Sequence, residues 1–256
     1  MNDFTFAAAD HRYWKTVRNV AVCALTLFVS GVAGAATWEI DPVRVELSPQ
    51  QQTAAIKIKN NSNQATTIQI NVVAWSQSEG KDVYTSSKEL LVSPPMVTIA
   101  ANGEQIIRAA LRRPADAANE LTYRINLQEL PVQPAPGFTG LQVALRIGLP
   151  AFVKPKTGKA SPKMLWSVAR MPGNMLKVEL HNQGNAHVQV SDFALYIPGD
   201  DRALVNESGS SYVLAGQAHE WLLKTGSSEK VSGDRLHLKA YTDAGNVDTE
   251  LALDKP

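Results

Sequence analysis

The residues with chemical potential are few. Four histidines lie beyond residue 36: His181, His187, His219 and His237. His181 and His187 flank the turn-like run Asn182-Gln183-Gly184-Asn185, so a hairpin could set them face to face in a spacing that invites a metal. A third ligand is lacking nearby, so both read as surface residues and no metal site or cofactor is expected. The single cysteine, Cys23, lies inside an apolar run near the start of the chain. The rest of the chain therefore has no thiol nucleophile, no thiolate metal site and no disulfide. There is no G-x-S-x-G elbow, no H-E-x-x-H and no phosphate-cradling glycine loop. The Asp and Glu residues show no pairing that marks a general acid and base. Asn60-Asn61-Ser62 and Asn206-Glu207-Ser208 fit the glycosylation pattern, a frequent coincidence. The expectation is a protein that is not an enzyme, with a secreted β-sandwich carbohydrate-active enzyme as the catalytic alternative.

What remains is a physical signal in residues 141–155, LQVALRIGLPAFVKP. Leu141, Val143, Leu145, Ile147 and Leu149 alternate with Gln142, Ala144, Arg146 and Gly148, the period of a half-buried strand. Pro150 has no N–H to give a ladder, which puts that end of the strand at a sheet margin. A long apolar edge is a liability that proteins normally suppress, so one left open reads as a place for another chain's strand.

The elements that must carry this strip follow from composition and pattern. With 44% hydrophobic and 19% charged residues, the chain can bury one large core or two ordinary ones. A formal net charge of +1 argues against nucleic acid or an acidic membrane surface as partner. Residues 1–36 read as a secretory signal peptide. Arg12, Lys15 and Arg18 precede the apolar run 20–32, and Gly31, Ala33, Gly34, Ala35 and Ala36 form a small-residue exit. The run is short for a membrane span, which needs about 20 residues. Cleavage would remove Cys23 and release residues 37–256 to an exported compartment.

From Thr37 the pattern is strand, turn, strand. Val43, Val45 and Leu47 alternate, as do Ile68, Ile70 and Val72 on the way to Trp75, which reads as core. Ser93-Pro94-Pro95 and Asn102-Gly103 mark turns. Tyr123, Ile125 and Leu127 point one way and Thr122, Arg124, Asn126 and Gln128 the other. Seven or so short strands over residues 37–155 describe an immunoglobulin-like sandwich. Residues 154–163, KPKTGKASPK, hold four lysines and no apolar residue larger than Ala, the composition of a solvated hinge. This puts a linker at residues 156–163. A second β domain is expected over residues 164–256, where Leu176, Val178 and Leu180 alternate, as do Phe193, Leu195 and Ile197. No sequence repeat joins the halves.

Several of these runs together resemble a known family. Val43-Arg44-Val45, the Trp75 strand, Ser93-Pro94-Pro95, the run TYRINLQELP at residues 122–131 and above all LQVALRIGLPAFVKP are similar to the periplasmic pilus-assembly chaperones of the PapD-like family. The match covers nearly all of residues 37–155. Over the second domain it rests on size, β character and Tyr241-Thr242-Asp243-Ala244-Gly245. The resemblance implies an all-β protein of two immunoglobulin-like sandwiches arranged as a boomerang. It implies an ATP-independent periplasmic chaperone that folds pilus subunits by donor-strand complementation and delivers them to an outer-membrane usher. Leu141, Val143, Leu145 and Ile147 would enter the groove of the bound pilin.

The resemblance also assigns charges. Arg44 matches an Arg that anchors the terminal carboxylate of the bound pilin, but Pro150 stands where the family carries the partner Lys. Arg124, on the neighbouring strand, is the candidate replacement. An interdomain ionic cluster is implied for Glu129, Lys154 and Asp243. The expected partners are pilins and an usher, and self-association of the free protein would hide the same edge. The structurally different alternative is a pilus subunit, which two complete-looking domains and the lack of an isolated N-terminal donor segment disfavour.

Overall fold

The computed structural model describes residues 38–131, 137, 139–141, 143–226 and 233–254, so the signal peptide expected at residues 1–36, with Cys23, lies outside the described residues. Every regular element among the described residues is a strand. The first ten are β1 (Trp38–Asp41), β2 (Val45–Leu47), β3 (Thr53–Asn60), β4 (Thr66–Ser78), β5 (Lys81–Ser86), β6 (Leu90–Ser93), β7 (Met96–Ile99), β8 (Glu104–Leu111), β9 (Leu121–Leu130) and β10 (Arg146–Val153). The remaining seven are β11 (Met164–Met171), β12 (Met175–Asn182), β13 (Val188–Tyr196), β14 (Ala203–Val213), β15 (Ala218–Lys224), β16 (Arg235–Thr242) and β17 (Val247–Asp254).

The first ten strands make a sandwich. One sheet runs β1-β3-β8-β6 and the other β2-β10-β9-β4-β5, with β7 also on β4. Ten strands replace the expected seven: the opening segment changes sheets between β1 and β2, Pro94 and Pro95 divide β6 from β7, and β5 adds an exposed edge strand. Alternation sends one row of each strand inward: Ile56 and Ile58, Ile68 and Ile70, Tyr123, Ile125 and Leu127, and Leu149, Ala151 and Val153 share one core. The last seven strands follow the path β14-β13-β16-β17-β11-β12-β15 around a second core that includes Val178, Leu180, Phe193, Leu195 and Leu238.

The halves lack a sequence repeat but share a structural device. Asn60 and Asn182 each end a strand with 0% exposure, where an amide must find partners on every side. Asn60 Nδ2 donates to the carbonyls of Gln64, Ile99 and Ala100, and its Oδ1 accepts from the Ser62 N–H and hydroxyl. Asn182 Nδ2 donates to Ala186, Val213 and Leu214, and its Oδ1 accepts from the N–H of Gly184 and Lys163. With its amide enclosed, Asn60 is not a glycosylation acceptor.

The segment expected to be a solvated hinge is bonded to both sandwiches. Lys156 and Thr157 N–H groups reach the carbonyls of Asp116 and Ala117, while Gln183 and Asn185 N–H groups reach Lys163 and Ser161. A Cβ at Gly184 would lie 2.3 Å from the Ser161 carbonyl oxygen, so only glycine lets this segment lie so close. The lysine-rich composition keeps the side chains in water while the backbone is held.

Candidate functional site

The strip singled out by its period becomes regular strand only over β10. Leu141 is 88% exposed and Val143 66%, outside any strand. Leu145 and Ile147 are half-buried and Leu149 is in the core. The expected strand from Leu141 is thus shortened, because β9 ends at Leu130 and the register carries Val143 and Leu141 past that end. Along β10 the Glu129 N–H donates to the Leu145 carbonyl at 2.9 Å, and Ile147, Leu149, Ala151 and Val153 face Leu127, Ile125, Tyr123 and Leu121. By antiparallel geometry these odd residues spend their backbone bonds on β9, and the even ones turn theirs to the other edge. There β2 pairs in parallel with Ala151, Phe152 and Val153 only. Among the described residues no strand covers Arg146 to Leu149 on that side, and Pro150 stands where cover begins. Pro150 itself is buried and has no N–H to leave unpaired.

The other face of this sheet looks toward the second sandwich. The register that sets Val45 beside Ala151 and Pro150 beside Arg124 puts Arg44, Pro150 and Arg124 in one row across three strands. Arg44 Nη1 donates to Asp243 Oδ2 at 2.7 Å and lies 3.4 Å from Gln189 Oε1, while its Nε is 3.5 Å from Glu46. Arg124 Nη1 donates to the Gly148 carbonyl at 3.2 Å, and its guanidinium lies 4.1 Å from the Trp75 ring centre. A Cβ at Gly148 would come within 3.3 Å of Asn126 Oδ1, a tight approach, and would be in ordinary contact with Arg124 Cδ at 3.8 Å. Tyr212, from β14, belongs to the same place. Burial pushes its hydroxyl pKa up against the opposing pull of the Arg44 and Arg124 cations.

The next row holds Phe152 and Trp75, which form a cluster with Leu214 and, at its edge, Tyr212. Trp75 is buried, but between the sandwiches and not in the first core. Ile68, Ile70 and Val72 have the inward parity, and Trp75 and Gln77 the opposite one. Gln77 closes the contact: its Nε2 donates to the Tyr212 carbonyl at 2.8 Å and its Oε1 accepts the Leu214 N–H at 2.9 Å.

His187 is not a surface residue. Its ring stacks on Phe152 at 3.5 Å between centres, 8° from parallel. Nδ1 is 2.6 Å from Glu120 Oε2, and Nε2 is 3.7 Å from Asp243 Oδ2. His181 faces Leu165 and Ala218 on neighbouring strands, so the two histidines are not opposed. Burial works against a charged His187, but the carboxylates of Asp243 and Glu120 outweigh it and the pKa is raised. Burial likewise works against the Asp243 carboxylate. The His187 imidazolium, the Gln189 N–H and Arg44 more than offset this and hold its pKa at about 2. A raised imidazole pKa stabilises the fold fully below its unfolded value of about 6.5, and the gain is lost as pH rises through the folded value. Thermal melts across pH 5.5–8.5 should therefore show the advantage of wild type over His187→Gln shrinking as pH rises. A difference that does not vary with pH would remove His187 from the charge cluster.

The ionic trio implied by resemblance is not assembled. Lys154 Nζ pairs with Glu46 Oε2 at 3.1 Å, and Asp243 with Arg44 and His187. Glu129 is elsewhere, accepting from the Thr66 hydroxyl at 2.8 Å and the Leu145 N–H at 3.1 Å. Val153, the neighbour of Lys154, pairs with Leu121, the opposite end of β9 from Glu129, eight residues or about 26 Å away. The carboxylate at the proper end is Glu120. It is buried, and it shares the outward parity of Thr122 and Arg124. That parity is readable from sequence, but the pairing of β9 with β10 that makes it decisive is not. Sequence reasoning also misses Phe152, Gln77, His187 and Tyr212 as parts of this site. Only Phe152 carries a signal, as a large apolar residue out of phase with Ala151 and Val153.

No curated relative matches the chain. Many solved structures are similar in fold, among them the following three. One is a chain of the chaperone–tip adhesion subunit pre-assembly complex CsuC–CsuE from archaic Csu pili of Acinetobacter baumannii, at 20% identity and TM-score 0.63 over 86% of this chain and 100% of that one. Another is in the Salmonella enterica SafA pilin–SafB chaperone complex, at 18% identity and TM-score 0.59 over 87% and 99%. The third is the Pseudomonas aeruginosa CupB2 chaperone, at 18% identity and TM-score 0.54 over 84% and 100%. Residues 37–159 match the family described as pili and flagellar-assembly chaperone, PapD N-terminal domain. Residues 37–159 thus carry a PapD-type N-terminal domain of pili and flagellar-assembly chaperones, within a fold that most of the chain shares with those structures.

Proposed function

We propose that the chain is a periplasmic, ATP-independent chaperone that takes up pilus subunits along the uncovered edge of β10 and passes them to an outer-membrane usher. In this reading residues 37–155 are the subunit-binding domain, 156–163 the linker and 164–256 the second domain. The observation that carries it is the uncovered edge itself. On the side away from β9 no strand among the described residues lies beside Arg146 and Gly148, and Leu141 and Val143 extend the same apolar row into solvent. A pilin lacking its last strand would gain backbone bonds from the even residues and side chains from Leu141, Val143, Leu145 and Ile147. Burying four such side chains is worth about 6–12 kcal/mol gross. Association and ordering cost about 4–15 kcal/mol, so the contact can hold a pilin and still exchange it. The Csu and Saf relatives are chaperones in complex with a tip adhesion subunit and a pilin, which supports this class of partner. A pilus subunit is the weaker reading, because both cores here are filled by the chain's own strands.

Arg44 and Arg124 are the proposed carboxylate anchor. The carboxyl end of a pilin lying over Pro150 would have a guanidinium on either side, the two Cα atoms about 10 Å apart across two strand spacings. That arrangement replaces the expected lysine by a second arginine. Lys154, Glu46, Asp243, Arg44, His187 and Glu120 would hold the two domains at the angle that keeps this row open.

Co-expression with a pilin whose fold lacks its final strand tests the reading. The expected result is a one-to-one complex in which the Arg146 and Gly148 amides become protected from exchange. Failure to form the complex, or a complex without that protection, would overturn it. Arg44→Ala and Arg124→Ala should each weaken capture by about tenfold or more, as loss of a charge-assisted bond does. Normal capture by either variant removes that arginine from the anchor.

A further inference from the structure

The uncovered strip has a specific root. Glu129 and Leu145 occupy a hydrogen-bonded position of an antiparallel pair, where two residues ordinarily exchange both backbone bonds. Here only one is main chain to main chain. Glu129 N–H donates to the Leu145 carbonyl at 2.9 Å, while Leu145 N–H turns to the Glu129 side chain, 3.1 Å from Oε2. The other carboxylate oxygen accepts the hydroxyl of Thr66, a buried residue at the start of β4, at 2.8 Å. The next position of the same kind would join Pro131 to Val143, and proline has no N–H to offer the Val143 carbonyl. Two successive rungs are therefore diverted or missing, and Val143, at the second of them, and Leu141 beyond it are exposed.

We infer that the Glu129 carboxylate is a positioning group that ends the β9–β10 ladder at Leu145 and so holds Val143 and Leu141 out for an incoming strand. The inference rests on the proposed pilin-binding role of that strip. Thr66 orients the carboxylate, Glu129 takes the Leu145 N–H, and Pro131 prevents the ladder from resuming. The strip thus leaves its own sheet at a set residue, with Leu145 half-buried as the pivot. Glutamine at 129 keeps an oxygen acceptor for Leu145, whereas alanine removes it.

The test uses the full chain in two measurements. Amide exchange in the free protein, resolved by residue, should show Leu145 exchanging about tenfold faster in Glu129→Ala with Ile125 unchanged. Glu129→Gln should restore the wild-type rate, and Thr66→Val should fall between. Capture of a strand-deficient pilin should slow by about five- to tenfold in Glu129→Ala and recover in Glu129→Gln. Unchanged exchange at Leu145 in the alanine variant would sink the inference whatever capture does. Faster exchange with normal capture would show that the bond exists but positions nothing. Loss of capture in Leu145→Asp with no effect of Glu129→Ala would leave the pilin-binding reading standing and this one refuted. Should Glu129→Ala not fold, Thr66→Val carries the same comparisons.

Discussion

Leu145→Asp is expected to leave the chain folded and to abolish co-purification with its pilin. Leu145 is half-buried immediately before β10, so the new carboxylate can turn to water in the free protein. In the complex it cannot. An apolar groove gives an ionised carboxylate no partner, and the variant forfeits about 1.5–3 kcal/mol of side-chain burial together with several kcal/mol of uncompensated desolvation. A loss of about 3 kcal/mol already weakens binding more than a hundredfold, beyond what a pull-down retains. Circular dichroism and a melting temperature near wild type would show that the fold survives. An unchanged complex yield would refute complementation by this strand.

Phe152→Ala is expected to produce the largest stability change, and one with a particular shape. Phe152 is 1% exposed, stacked on His187, with Trp75 and Tyr212 at 6.0 and 5.7 Å between ring centres. Truncating a buried phenylalanine costs about 3–5 kcal/mol. Here most of its contacts cross from one sandwich to the other, so the loss should fall on the coupling between them. Urea unfolding should broaden or split into two transitions, and capture of a pilin should weaken because Arg44 and Tyr212 no longer share a fixed frame. A single transition with a midpoint near wild type would mean that the aromatic cluster does not couple the sandwiches. Phe152→Leu should recover much of the loss, since volume-conserving apolar changes usually cost less than about 1.5 kcal/mol.

Which parts of this arrangement are legible in advance follows from the range of each signal. The all-β class is, since alternation and turn residues are properties of a few neighbours in the chain, and Tyr123, Ile125 and Leu127 declare their face without help. The two asparagine corners are not, because Asn60-Asn61-Ser62 and Asn182-Gln183-Gly184 look like ordinary turns until the strands that enclose them are in place. Lysine content misleads at residues 154–163, where the side chains are solvated but the backbone is held. Resemblance puts Glu129 in the charge cluster. Register sends it instead to the far end of β9 and brings Glu120 to the interface.

By itself the chain of residues determined the strand period, the core rows and the apolar strip at residues 141–149. All of these depend on spacing of two to ten residues, which composition and steric preference settle locally. Only the tertiary structure decided which edge stays uncovered, which carboxylate meets His187, and that Arg44 and Arg124 flank Pro150 in one row. Those outcomes depend on pairings between segments as far apart as Arg44 and Asp243, where a shift of one residue would turn every side chain to the opposite face.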